Sequence, residues 1–369
     1  MSSKLDPSLI EDFRKKVTEN CLVKHIYYNY ENSGKAYWNT FISAMDWISV
    51  AVGGIDLHLL STENSHDASR KMMSFIGCVD VMWHSIIRLN QSVLDKKKAT
   101  PFYDDCSIFG KEITDNKYFE TIRALFMAHP VDITGDPFGI KKNVNNDSRW
   151  YARGSGGKFE GGDFSVYVFS DNPEEQPKRF SIDFSQLMKF AERRYNYLNE
   201  IWKKIELNIE EYRQNWINEV IPEPSGNLSE YIDFLSEENE KRLENDDLRN
   251  WLNYLKIAFS VAPKNKKNQI ILDEYRKTLF EEVKTIHQIL QNMDIDINYK
   301  MMDFDIPDNL IYPLEKLTEY VPVLREYAVE KISNYIGDLA DLNSCSDIDE
   351  MQIIVDAALW RKTGGAPPM

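Results

Sequence analysis

Two side chains in residues 118–130 have the chemistry to handle a phosphodiester: the guanidinium of Arg123 and the imidazole of His129. A guanidinium stays charged and presents a planar fork of donors that fits phosphate oxygens. An imidazole titrates near neutral pH, around an ordinary pKa of about 6.5, so it can take up or release a proton. The surrounding residues predict the element that carries them. Phe119, Ile122 and Phe126 fall at helical spacing, and Leu125 and Met127 widen the apolar stripe. Thr114, Asp115 and Asn116 supply the start signal. Pro130 lacks an amide hydrogen and disfavours helical dihedrals in the residue before it. His129 is therefore expected at or just past the helix C-terminus, where unpaired carbonyls favour a cation. In an ideal helix, residues six apart point about 240° apart. Arg123 and His129 share a face only if the last turn unwinds, which Pro130 favours.

The remaining candidates are weaker. His25, His58, His66, His84 and His287 have no evident partner in sequence. His84 and Arg88 lie four apart, which puts them on one face of a helix and is an ordinary spacing for a helix contact. There is no HExxH, no compact ligand set for a metal, no GxSxG elbow and no Walker or Rossmann fingerprint. No cofactor is expected. The glycines between 154 and 162 lack the lysine and the strand-to-helix setting of a phosphate loop, so they read as a hairpin connection. Cys21, Cys78, Cys106 and Cys345 have no close spacing and read as reduced thiols in or near the core.

The formal net charge is −15, and it is uneven. Residues 201–369 hold 19 Lys and Arg against 32 Asp and Glu, which puts −13 there and −2 in residues 1–200. Overall charge therefore does not favour nucleic acid, but the N-terminal half can still present a local basic patch. Lys96, Lys97, Lys98, Lys141 and Lys142 are its candidates. No apolar run reaches the roughly 18 residues of a membrane span; the longest, residues 41–60, is interrupted by Asp46, Asp56 and His58. No signal-like apolar core begins the chain. A soluble, cytoplasmic protein with no membrane partner is expected.

The positioning elements are mainly α-helical. Helices are expected at about 7–30, 35–60, 66–94 and 114–129, then a small antiparallel β-hairpin at about 149–184, then a long helix at about 185–220. Residues 222–226, Pro-Glu-Pro-Ser-Gly, form the expected boundary. The reading is a helical domain over 1–221 with the hairpin inserted, an acidic α-helical domain over 227–363, and a disordered tail over 364–369. The second domain should hold helices at about 228–260, 268–292, 309–320, 322–342 and 347–361.

An arginine, four to six residues, then a histidine near a helix end, late in a helical bundle, resembles the motif of the HEPN superfamily. Here Arg123 and His129 carry the likeness, framed by residues 118–122 and by Ala128 and Pro130, and it extends over roughly residues 8–200. The resemblance implies an N-terminal HEPN-like helical bundle and a metal-independent endoribonuclease of a defence or toxin type. His129 would move the proton of the ribose 2′-hydroxyl or of the leaving oxygen, and Arg123 would stabilise charge on the pentavalent phosphorus. RNA is the implied partner. A homodimer bringing two motifs together is also implied, and the acidic C-terminal domain offers a surface for a regulatory or antitoxin protein. The other expectation is a non-catalytic helical protein-binding or regulatory module with a degenerate motif, Ala124 standing where a polar residue is common. In it, Arg123 is a structural cation bonded to carbonyls.

Overall fold

The computed structural model describes residues 3–28, 37–60, 65–94, 100–128, 130–131, 133–134, 149–152, 162–224, 227–294, 306–319 and 321–364. The protein is mainly helical with one small antiparallel sheet. Two compact units divide it, Met1–Glu210 and Glu211–Met369. The division falls inside a helix rather than at residues 222–226. The last turns of that helix, from Glu211 on, belong to the second unit. There the Arg242 guanidinium donates to the Trp216 carbonyl at 2.8 Å, and the Tyr212 hydroxyl lies 3.0 Å from the Lys241 carbonyl.

The first unit opens with α1 (Ser8–Glu19) and α2 (Cys21–Tyr28), not one continuous helix. Asn20 adopts extended dihedrals and its side chain accepts from the Leu22 amide at 3.1 Å, which starts the second helix. α3 (Trp38–Val52) ends at Gly53, ahead of a short 3-10 turn at Leu57–Leu60. Gly54 lets the chain pass Cys78, whose Sγ would lie 2.4 Å from any added Cβ.

α4 (Ser65–Leu94) is the central helix of this unit. Its stretch His66–Leu94 has the length and apolarity of a membrane span, contrary to the expectation that none would qualify. In this structure Met72, Phe75, Ile76, Val79, Met82, Ile86 and Leu89 are buried core residues. The helix packs along α3.

α5 (Asp115–Arg123) continues into a π-helical turn at Ala124–Ala128. The sheet follows, with β1 (Ile133–Thr134), β2 (Arg149–Ala152), β3 (Phe164–Ser170) and β4 (Lys178–Ile182) in that spatial order, all antiparallel. The hairpin expected at 149–184 is β2 to β4, and β1 adds a strand the sequence reading did not place. The expected long helix is α6 (Phe184–Tyr195) and α7 (Leu198–Asn218). The Asp183 carboxylate caps α6 by accepting from Ser185 N at 2.7 Å. Hydrogen bonding from the Ser185 side chain first, and then from the Ser185 and Gln186 amides, holds its pKa below the ordinary value against burial.

An aromatic cluster ties α5 to the sheet and to α6. Phe119 stacks on Phe190 with centroids 4.6 Å apart, Phe126 meets Phe164 edge-on at 5.5 Å, and Tyr118 stacks on Phe180 at 5.7 Å. Burying each such ring contributes roughly 1.5–3 kcal/mol, with about 0.5–1.5 kcal/mol more from ring pairing.

The second unit is helical: α8 (Leu228–Arg242), α9 (Asp246–Ser260), α10 (Lys266–Asn292), α11 (Asp308–Leu317), α12 (Pro322–Ile336) and α13 (Ile348–Lys362). The helix expected over 228–260 is two, broken where Glu244 takes a left-handed φ of 49° and Asn245 caps α9. The tail beyond 364 lies outside the described residues.

Candidate functional site

α5 is built to hold its C-terminal end still. The Thr114 side chain accepts from Lys117 N at 3.3 Å. Asp115 is fully buried, and its carboxylate accepts from the amides of Ile108 and Phe109, both at 3.1 Å, which folds the preceding loop onto the helix start. Phe119, Ile122, Leu125 and Phe126 bury the other face.

Arg123 is the last residue before the winding changes from α to π. An i→i+5 turn alters the angular spacing of residues beyond it, so the ideal-helix arithmetic for residues six apart no longer applies. A π turn inside a helix is uncommon and recurs at functional sites.

The Arg123 guanidinium reaches across to α4. Its Nη1 donates to both oxygens of Asp80, at 3.2 and 3.3 Å. The close approach of the two helices is set next door. Gly77 has Met127 against it, so an added Cβ would lie 3.2 Å from the Met127 sulfur. Gly77 and Asp80 are three apart on α4, and Arg123 and Met127 are four apart on the other helix. The spacing of Gly77 and Asp80 puts both contacts on one face of α4.

Asp80 also holds a histidine. His84, one turn further along α4, places Nδ1 3.4 Å from Asp80 Oδ1 and 3.1 Å from the Asp80 carbonyl. The three side chains grade outward from the core. Asp80 is 16% exposed, Arg123 33% and His84 61%. The Arg123 Nε is buried without a hydrogen-bond partner among the described residues. One guanidinium edge is thus taken by Asp80, while the group as a whole stays reachable from solvent.

The sequence reading placed Arg123 correctly on the helix and missed Asp80. The signal was there. Between Lys71 and Arg88, Asp80 is the single formal charge in an otherwise apolar or neutral run of α4, and His84 lies four residues beyond it. The earlier pairing of His84 with Arg88 gives way to the Asp80 contact; Arg88 Nη1 donates to Gln91 at 3.2 Å. Arg123 bonds a carboxylate, not the backbone carbonyls expected for a structural cation. His129, Lys96, Lys97, Lys98, Lys141 and Lys142 lie outside the described residues. Pro130, next to His129, is described, and its carbonyl accepts from Ala152 N on β2 at 2.6 Å.

Other titratable clusters sit in the second unit. The Tyr231 hydroxyl donates to the Pro222 carbonyl at 3.1 Å and lies 2.5 Å from His287 Nδ1. His287 Nε2 faces Glu223 at 4.0 Å. Tyr231, His287 and Glu223, with Gln288 and Gln291, line a cavity of about 170 Å³. Burial first, and Glu223 second, push the Tyr231 phenol up to about 12, so it keeps its proton and acts as a hydrogen-bond partner. Deeper in that unit, Tyr254 donates to Asp356 Oδ2 at 2.9 Å and meets the Tyr275 hydroxyl at 2.9 Å. Gln352 donates to the other Asp356 oxygen at 3.1 Å. Burial drives the Asp356 carboxyl up to about 6, against the two hydrogen bonds that favour its charged form.

His58 pairs with Ser3 at 2.8 Å, and His25 is buried. Among the described residues, no three His, Cys, Asp or Glu side chains gather as a metal cage. None of the four cysteines is in a disulfide, and Cys106 is exposed rather than near the core. No family model, no curated protein and no solved structure matches this chain.

Proposed function

We propose that this chain is a metal-independent endoribonuclease that cleaves RNA through attack of a ribose 2′-hydroxyl on the adjacent phosphorus. The observation that carries the reading is the Arg123 guanidinium, held by Asp80 where the helix changes its winding and still a third exposed. Arg123 binds the phosphate and stabilises the extra negative charge of the pentavalent transition state. Asp80 positions it. His129 transfers the proton.

The reaction needs two proton transfers. One base takes the 2′-hydroxyl proton as the new O–P bond forms. One acid supplies a proton to the 5′-oxygen as the old P–O bond breaks, leaving a 2′,3′-cyclic phosphate and a 5′-hydroxyl. His129 supplies one imidazole per chain. The second comes either from His129 of another copy, as a homodimer would allow, or from His84, which Asp80 holds beside Arg123.

The alternative is a non-catalytic helical module that binds a regulatory or antitoxin protein. One observation favours it: both oxygens of Asp80 already accept from Arg123, which neutralises the charge a phosphate would seek. Incubation of the purified chain with single-stranded RNA in a chelator separates the two. Cleavage that is lost in Arg123→Ala and in His129→Ala, with melting temperatures kept, supports the nuclease. Inertness of the unaltered chain toward varied RNAs supports the module.

A further inference from the structure

The sheet has a second face that the proton chemistry leaves unused. Along β3 the burial alternates from Val166 onward, Ser165 at the start of the outer face being buried as well. Phe164, Val166 and Val168 are buried against the helices, while Tyr167 and Phe169 are exposed at 37% and 40%. On β2, Trp150 is buried and Tyr151 is 37% exposed. The register aligns the outward residues. Tyr151 lies directly across from Phe169, and Tyr167 directly across from Arg179 on β4. Directly opposed residues on one face have Cβ atoms about 5 Å apart, and residues two apart along a strand are about 7 Å apart. Tyr151, Phe169, Tyr167 and Arg179 therefore form one continuous stripe of three aromatic rings ending in a cation.

Charge marks this stripe out. The protein carries −15 overall, yet its four strands contain Arg149, Lys178 and Arg179 and no Asp or Glu. Arg179 is exposed and makes no ion pair among the described residues. Lys178 lies over the buried Trp150 ring at 4.5 Å, on the opposite side of the sheet. Three exposed rings thus lie in line with an arginine on this face. They match what single-stranded nucleic acid needs: flat apolar faces for unstacked bases and a positive charge for the backbone.

The stripe is also connected to the candidate site. Its inner face is pinned to the motif helix by Phe126 against Phe164 and Tyr118 against Phe180. Ala152, the residue after Tyr151, donates its amide to the Pro130 carbonyl at the end of that helix. The backbone of β2 thus meets the chain just past the end of the motif helix.

We infer that the outer face of the sheet, through Tyr151, Tyr167, Phe169 and Arg179, is a stacking platform for single-stranded RNA. The choice of RNA rests on the ribonuclease reading, but binding is measured apart from cleavage. The probe is a fluorescein-labelled, single-stranded 12-mer of 2′-O-methyl RNA, which has no free 2′-hydroxyl to react. The full chain should bind it, more tightly at low salt than at high, and a duplex of the same sequence should bind more weakly. Tyr151→Ala and Phe169→Ala should each weaken binding about tenfold, with Phe169→Trp restoring it. Arg179→Glu changes no ring and should weaken binding and flatten its salt dependence. Melting curves identify any variant that fails to fold, and Arg179→Glu then decides. Absence of binding, or binding that Tyr151→Ala, Phe169→Ala and Arg179→Glu leave unchanged, overturns the platform. So does a face that proves to hold a second copy of the chain, seen as self-association lost in Tyr151→Ala without RNA binding. If the variants lose binding and the unaltered chain never cleaves unmodified RNA, the platform stands and the nuclease reading falls.

Discussion

The two ends of helix α5 each meet an arginine, and the arginines do opposite work. At the N-terminal end, Arg194 from α6 is fully buried and donates from Nε and Nη2 to Asn116 Oδ1, at 3.1 and 2.6 Å. Its guanidinium carbon lies 3.4 Å from the Phe190 ring centre and near Trp83 and Phe102. Burial pulls its pKa down to about 9, while Asp115 and Asp105 pull it back up. At the other end, Arg123 keeps a third of its surface in solvent and is held by one carboxylate. A charge walled in by aromatic rings can only hold elements together. A charge fixed on one side and open on the other can still receive an anion. Burial, not residue type, separates the scaffold from the candidate site.

That contrast has a strong test in Arg194→Ala. Removing a buried, stacked guanidinium should cost about 3–5 kcal/mol, read by urea denaturation. Arg194→Lys should recover little, because an ammonium does not stack. At the opposite end, Arg123→Ala should lower RNA cleavage about 10²–10³-fold, equivalent to about 2.7–4 kcal/mol of transition-state stabilisation. Its stability should change by no more than about 1 kcal/mol, since the ion pair is partly exposed. A large stability loss in Arg123→Ala would erase the distinction between the two ends.

The second unit supplies a third case, a buried charge with no opposite charge beside it. The Asp356 carboxyl, at about 6 in the fold, binds its proton more tightly than in the unfolded chain, where the ordinary value is 3.8. Its contribution to stability is therefore complete below about pH 4 and is lost as pH rises through 6. Asp356→Asn should remove that loss. Relative to the parent, it should gain about 2 kcal/mol between pH 4.5 and pH 7.5, measured by denaturation at both values. A constant difference between the two proteins across that range would count against it. The smallest effect is expected at Gly77→Ala. The new methyl would press on the flexible Met127 side chain, while helix propensity improves by about 1 kcal/mol. Net stability should stay within about 1 kcal/mol. A larger loss would show that the α4 contact beside Asp80 is stiffer than a methionine should make it.

How much of this was legible depended on range. The α5 helix was readable because Phe119, Ile122 and Phe126 repeat at helical spacing and Thr114 supplies a local cap. The sheet was readable because β3 alternates. What the alternation did not reveal is that Tyr167 and Phe169, as apolar as their neighbours, face outward; residue type alone does not assign a side when both are hydrophobic. Breaks at Asn20 and Glu244 were missed because both interrupt continuous apolar patterns, and polar side chains alone mark them. The Asp80 contact with Arg123 spans 43 residues and depends on how closely two helices approach. No local pattern encodes that distance, although a single charge between Lys71 and Arg88 hinted at a partner.

β4 closes the order of the sheet and so leaves one flank without a neighbouring strand among the described residues. An open flank of backbone donors and acceptors is a template on which chains polymerise. Here the approach to that flank runs Pro177, Lys178, Arg179: an imide without a donor and then two like charges that repel their own copies. At the high local concentrations of an expressing cell, this tripeptide should keep the sheet from seeding fibrils. Neutralising Lys178 and Arg179 together should therefore show first as lost solubility.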